Sequence, residues 1–191
     1  CNASPFLATG NENDVFPSEV PSSSGIETHQ TNRSLRAIEL YGKDTSITRD
    51  DFYRYKYDIQ YSKESVMAYA VERFVSETRS DDKYIMEVVG LLKNWDLKAD
   101  ADSRAAALAI MIFPLTFKFD DYTHDLDVIN ERLQNAITNL RKYFGRVDVR
   151  LGDVQRLIRG DTDLPLAGGP GVLRAIYAPW NDGKMVASAG D

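Results

Sequence analysis

The chain has 191 residues, 43% of them hydrophobic and 27% charged, which suits an ordered globular core. A net charge of -6 with no RRM-like, zinc-finger or P-loop pattern predicts no nucleic-acid role. The single cysteine excludes a disulfide within the chain, His29 and His124 are too far apart in sequence to suggest a zinc ligand set, and the longest apolar run, Ala105 to Leu115, is too short to cross a membrane.

Residues 1–31 carry Pro5, Pro17, Pro21, Gly10, Gly25 and the run Ser22-Ser23-Ser24. They show neither helical nor alternating periodicity, so a long irregular segment is expected, and loops of that length are often functional. Cys1 admits two readings. Either its thiol is a nucleophile with its own α-amine as base, or it is a small interior residue. Asn2 is either an amide donor to an oxyanion or an ordinary turn residue.

Thr31 or Asn32 caps a first helix with Leu35, Ile38 and Tyr41 on one side and Gly42 as its stop. Thr48-Arg49-Asp50-Asp51 resembles a capping box for a short helix near Phe52. Tyr53, Tyr55, Tyr57 and Tyr61 then fit either a strand or a helix running into a turn. Ser62 is expected to cap a longer helix through Val66, Ala70 and Phe74. Another carries Ile85, Val88, Val89 and Leu92 and ends near Trp95. Asp102 is expected to cap an alanine-rich helix from Ser103 to about Phe113, ended or kinked by Pro114. The clearest pattern, Leu126, Ile129, Leu133, Ile137, Leu140 and Phe144, predicts a helix from about Thr123 to Phe144, stopped by Gly145.

After Gly145 the period changes. Val154 to Ile158 and Val172 to Ala178 are predicted strands flanking the loop Leu164 to Gly171, and Asn181-Asp182-Gly183-Lys184 is a tight turn into a final strand. The class is α+β, with about five to six helices and a few C-terminal strands. Residues 1–31 are an irregular segment, 32–145 a helical region and 146–191 strands returning to a sheet. That sheet begins so late that the chain reads as part of a larger protein.

Three further features have competing readings. Arg33 is unusual in a first helical turn, where the dipole disfavours a cation, and with Arg36 it suggests a solvated surface pair or a structural role. Asp96, Asp100 and Asp102 bring oxygens that suit calcium, but without an EF-hand loop; a helix cap with an Arg104 ion pair is the competing assignment. Gly168-Gly169-Pro170-Gly171 fits a tight turn better than a phosphate loop.

Four stretches in order resemble the β subunit of the penicillin acylase family, nearest its acyl-homoserine lactone and aculeacin-type branch. They are Cys1-Asn2-Ala3-Ser4-Pro5-Phe6; Thr31-Asn32-Arg33 with Ser34 to Leu40; Trp95-Asp96 through Ala107; and Gly152-Asp153-Val154 through Gly169. The resemblance implies part of an αββα N-terminal-nucleophile hydrolase, a zymogen matured by self-cleavage. Such an enzyme takes an acyl group off a linear amide through a serine that would lie upstream of Cys1. It implies Asn2 as an oxyanion-hole donor, Arg33 as the arginine that holds the site, and Cys1 as a spacer. On this basis the chain alone is inactive. Its implied partners are the remaining β-subunit segments, the α subunit and a small-molecule acyl-amide substrate, with no nucleic acid and no membrane. No cofactor is implied, although calcium binds some members and Asp14 is a candidate ligand. The implied location is periplasmic or secreted, with quorum quenching or antibiotic metabolism as the setting. The alternatives are a non-catalytic helical interaction module and a self-contained amidase using Cys1.

Overall fold

A computed structural model describes residues 31–42, 44–113 and 126–187. Cys1, Asn2, Asp14, His29, Pro114, Thr123 and His124 lie outside these. Among the described residues the class is α+β, with seven helices followed by a small four-stranded mixed sheet. The helices are α1 (Asn32–Tyr41), α2 (Arg49–Lys56), α3 (Val66–Glu77), α4 (Lys83–Lys93), α5 (Arg104–Ile112), α6 (Leu126–Phe144) and α7 (Leu151–Val154). The strands are β1 (Gln155–Arg159), β2 (Thr162–Pro165), β3 (Trp180–Asn181) and β4 (Lys184–Ala187).

The core is built around α5. Its alanine-rich sequence is apolar all round, and Ala105 to Ile110 and Ile112 are all buried. Small side chains let α4 and α6 approach closely: Val88, Val89 and Leu92 come from one side, Ile129, Leu133, Ile137 and Leu140 from the other. Met67, Ala70, Val71 and Phe74 of α3 extend the layer, and Phe74 meets Phe113 edge-on at 5.7 Å. Thus the apolar periodicity in the sequence became the packed bundle.

The helix starts follow local hydrogen bonding more closely than periodicity predicts. The α2 capping box is present, with Thr48 and Asp51 bonding each other's backbone N–H. The cap of α3 is Ser65, not Ser62. Ser62 instead accepts the Glu64 N–H and donates to Glu39, while Ser65 takes the orphan Ala68 N–H. Likewise Ser103, not Asp102, caps α5. Of the tyrosine series, Tyr53 and Tyr55 belong to α2 and Tyr57 caps its end, so the helix-to-turn reading holds.

The sheet order is β2-β1-β4-β3, with β1 parallel to β4 and antiparallel to β2. Asp182 (φ 39°) and Gly183 (φ 88°) join β3 to β4, the left-handed pair that a tight hairpin turn needs. The expected strand over Val172 to Ala178 does not form. Its backbone bonds go to loops, from Arg174 N–H to the Asp58 carbonyl and from Ile176 N–H to the Gly169 carbonyl, leaving one isolated bridge at Ala175. Strand β2 forms in its place, partly inside the predicted loop, and Pro165 sits at the sheet edge as proline must.

Three loops are stitched together beside α1. Tyr61 N–H bonds the Leu97 carbonyl at 2.8 Å, Ala99 N–H the Ile59 carbonyl at 2.9 Å, and Gly168 N–H the Ala99 carbonyl at 2.7 Å. Gly168 has φ 109°, and a Cβ there would lie 2.4 Å from the Arg174 carbonyl oxygen, so only glycine permits this crossing. The Gly168–Gly171 stretch is therefore a close-packed turn.

Candidate functional site

The first turn of α1 carries the sequence-predicted Arg33. Thr31 caps the helix by accepting the Ser34 N–H, which leaves the next side chain free for tertiary contacts. Asn32 uses that freedom. Its Nδ2 donates to the Gly171 carbonyl at 3.0 Å and to the Gln60 carbonyl at 3.3 Å, and its Oδ1 accepts the Ser62 N–H at 2.7 Å. One carboxamide thereby clasps the helix to two loops remote in sequence.

Arg33 grips the next residues of the same loop. Its Nε donates to the Val172 carbonyl at 3.3 Å and its Nη2 to the Tyr177 hydroxyl at 2.8 Å, with the guanidinium carbon 6.0 Å from the Tyr177 ring centre. Among the described residues Arg33 has no ion pair with a carboxylate. A cation at a helix N-terminus is held there by carbonyl and hydroxyl oxygens, against the helix dipole. Its positive charge is thus oriented by bonds that do not neutralise it.

Arg36 takes the structural role and not the alternative of a solvated surface pair. Its side chain is only 12% exposed and chelates Asp58, Nε to Oδ2 at 2.9 Å and Nη2 to Oδ1 at 3.0 Å. It also bonds Glu39, which in turn accepts from the Ser62 hydroxyl. The Asp58 bond raises the Arg36 pKa above its ordinary range. Behind this network Tyr61 is buried and donates to the Pro170 carbonyl at 2.7 Å. Burial pushes its hydroxyl pKa up, so it remains a neutral donor near neutral pH.

Tyr177 also borders a cleft of about 620 Å³ between α5, α6 and the chain from Pro170 to Met185. That volume lies within the range usual for small-molecule sites. Phe113, Trp180 and Met185 give it apolar walls, while Arg132, Asn135 and Asn139 of α6 supply its polar groups.

The carboxylate-rich stretch has a structural role. Asp96 accepts the Lys98 N–H, Asp100 accepts the Asp102 N–H, and Arg104 pairs with Asp148 rather than with its sequence neighbours. Among the described residues no group of three or more His, Cys, Asp or Glu side chains gathers as a metal site. No described helix is long and apolar enough to cross a membrane.

Of the two sequence-predicted catalytic residues, the structure places Arg33; Asn2 lies outside the described residues. Asn32 and Tyr177 are the positions that sequence reasoning missed. A signal for Asn32 was present, since two candidate caps in succession leave one polar side chain without a local task. A family model described as penicillin amidase matches residues 2–189. That match takes in the α1 clasp, the helical core and the strands, and the chain belongs to the penicillin amidase family, a family of acylase-type amide hydrolases.

Proposed function

We propose that the protein carrying this chain removes an acyl group from a linear amide, using a serine upstream of Cys1, with Asn2 as an oxyanion donor and Arg33 as a positioning residue. The observation that carries this reading is the family match from residue 2 to residue 189. The serine hydroxyl adds to the amide carbon and yields its proton to a base. The carbonyl oxygen becomes an oxyanion. Its collapse breaks the C–N bond, the protonated amine leaves, and water then cleaves the acyl-serine ester. The side-chain N–H of Asn2 would bond the oxyanion at the point of greatest charge.

Arg33 suits the positioning role because two bonds to Val172 and Tyr177 fix a cation that no described carboxylate neutralises. The same reading makes the protein a self-cleaving precursor, exported to the periplasm or beyond, that assembles with an α chain and the rest of its β chain. Acyl-homoserine lactones are the first substrates to assay, followed by lipopeptides and penicillins.

The experiment is steady-state kinetics on the intact mature protein. Asn2→Ala should lower kcat by about 10²–10³ with little change in KM, as loss of one oxyanion donor does. Arg33→Lys should recover part of the activity lost in Arg33→Ala, and Cys1→Ala should leave turnover unchanged. Full activity in Asn2→Ala would overturn the assignment. Abolition of turnover in Cys1→Ala would instead make the cysteine the nucleophile.

A further inference from the structure

The cleft between α5 and α6 has a division of chemistry that core packing does not require. Arg132, Asn135 and Asn139, spaced three and four residues apart, form a polar rail along one face of α6. Opposite stand Ile110, Phe113, Trp180 and Met185, all apolar or aromatic. Arg132 is half-buried, and its Nε donates to the Ile112 carbonyl at 2.9 Å at the end of α5. Among the described residues its two terminal nitrogens have no hydrogen-bond partner and no carboxylate pairs with it. Burial lowers its pKa below the ordinary arginine value, the mark of a cation short of compensation. Many of the other arginines here, including Arg36, Arg104, Arg146, Arg150 and Arg156, face an aspartate.

We propose that this cleft binds an amphipathic carboxylate of the fatty-acid type, its head on the Arg132 guanidinium and its hydrocarbon body along Phe113, Trp180 and Met185. The planar guanidinium matches a carboxylate through parallel N–H bonds, which an alcohol or ester cannot reproduce. Arg132 is the one lysine or arginine among the described residues that line the cleft, so selectivity for an anion there is assigned to it. Because Arg33 is not among the described residues that line this cleft, loss of the site and loss of amide hydrolysis are separable outcomes.

Trp180 supplies the readout. The intact protein is labelled with 5-fluorotryptophan, and the Trp180 fluorine resonance is identified by its disappearance in Trp180→Phe. Titration with octanoate should shift that resonance saturably, whereas 1-octanol should bind at least about tenfold more weakly, since a charge-assisted pair is roughly twice as strong as a neutral bond. Arg132→Gln, which keeps a donor for the Ile112 carbonyl, should abolish the preference for octanoate, and Arg132→Lys should retain part of it. Equal affinity for octanoate and 1-octanol in the unmutated protein would overturn the proposal. So would an unchanged preference in Arg132→Gln, or a Trp180 resonance that octanoate does not move. The octanoate and 1-octanol comparison is made on the unmutated protein once the Trp180 resonance is assigned, and holds even if substitutions at Arg132 impair folding.

Discussion

Helix α5 buries Ala105 to Ile110 and Ile112, whereas Ser34 is the one buried residue of α1. Helix α5 is held by apolar surface removed from water, a force without direction that tolerates any side chain of the right size. Helix α1 is held by directed bonds from Asn32, Arg33 and Arg36 to particular carbonyls and one carboxylate. A functional residue needs fixed orientation more than burial. The positioning role proposed for Arg33 suits its place on the helix that polar bonds aim, with the bundle supplying rigidity beneath it.

Leu108→Ala cuts into the bundle and should give the largest effect. Leu108 is fully buried in α5, and truncation leaves a cavity on every side, so a loss of about 2–5 kcal/mol in stability is expected by denaturant titration. The clasp around α1 should loosen only as the whole domain unfolds. A loss confined to the 31–62 region would mean that the two regions are less coupled than their packing indicates.

Asn32 sharpens the comparison because two effects have opposite signs. The helix dipole favours a negative charge in the first turn by about 0.3–1 kcal/mol, so on that ground alone Asn32→Asp would stabilise. The clasp predicts the reverse. A carboxylate would face the Gly171 and Gln60 carbonyls with no donor, and leaving buried polar groups unmet costs about 1–3 kcal/mol. Loss of the amide donor should therefore outweigh the gain from the dipole. Asn32→Asp is expected to be at least as destabilising as Asn32→Ala, with faster hydrogen exchange at residues 58–62 and 169–177. A stabilised Asn32→Asp would show that α1 is held chiefly by its own helix.

The same division explains which parts of the structure were legible in the sequence. Burial of one helix face repeats along the chain, so α3, α4 and α6 announced themselves through Phe74, Leu92 and Leu133, while α5 was marked by its alanines. Directed bonds leave no period. Nothing near Arg36 in sequence named Asp58 as its partner, and Tyr177 carried no sign that Arg33 would reach it. Strand β2 was hidden because all its residues are exposed and show no alternation, while Val172 to Ala178 had branched residues but no neighbouring strand. Helix α7 is a single turn, too short for any period to show. Ser62 was the expected cap of α3, but its hydroxyl donates to Glu39 and Ser65 takes the cap.

Thr48→Ala tests a local directed bond that carries no tertiary contact. It removes the α2 capping box and should cost about 0.5–2 kcal/mol, with exchange protection lost mainly in the first turn of α2. Loss of protection across α1 as well would show that α2 helps to hold the clasp.

Asp148 should give the smallest and most condition-dependent effect. It accepts from Arg146 and Arg104 on the far side of α5, and those bonds, chiefly that from Arg146, hold its carboxyl below the ordinary 3.8. A carboxyl whose folded pKa is depressed binds its proton more readily in the unfolded chain. Its stabilising contribution is therefore complete well above pH 3.8 and is lost as pH falls from there through the lowered folded value. The pair is partly exposed and screened, so about 0.2–1 kcal/mol is at stake. Denaturant midpoints for Asp148→Asn should fall below those of the unmutated protein at neutral pH and converge with them in acid. In salt near 1 M, where screening acts within about 3 Å, the neutral-pH gap should shrink, whereas the cost of Leu108→Ala should not. That contrast separates charge from burial within one molecule: a bond that salt weakens belongs to the directed class, and a cavity that salt cannot fill belongs to the bundle.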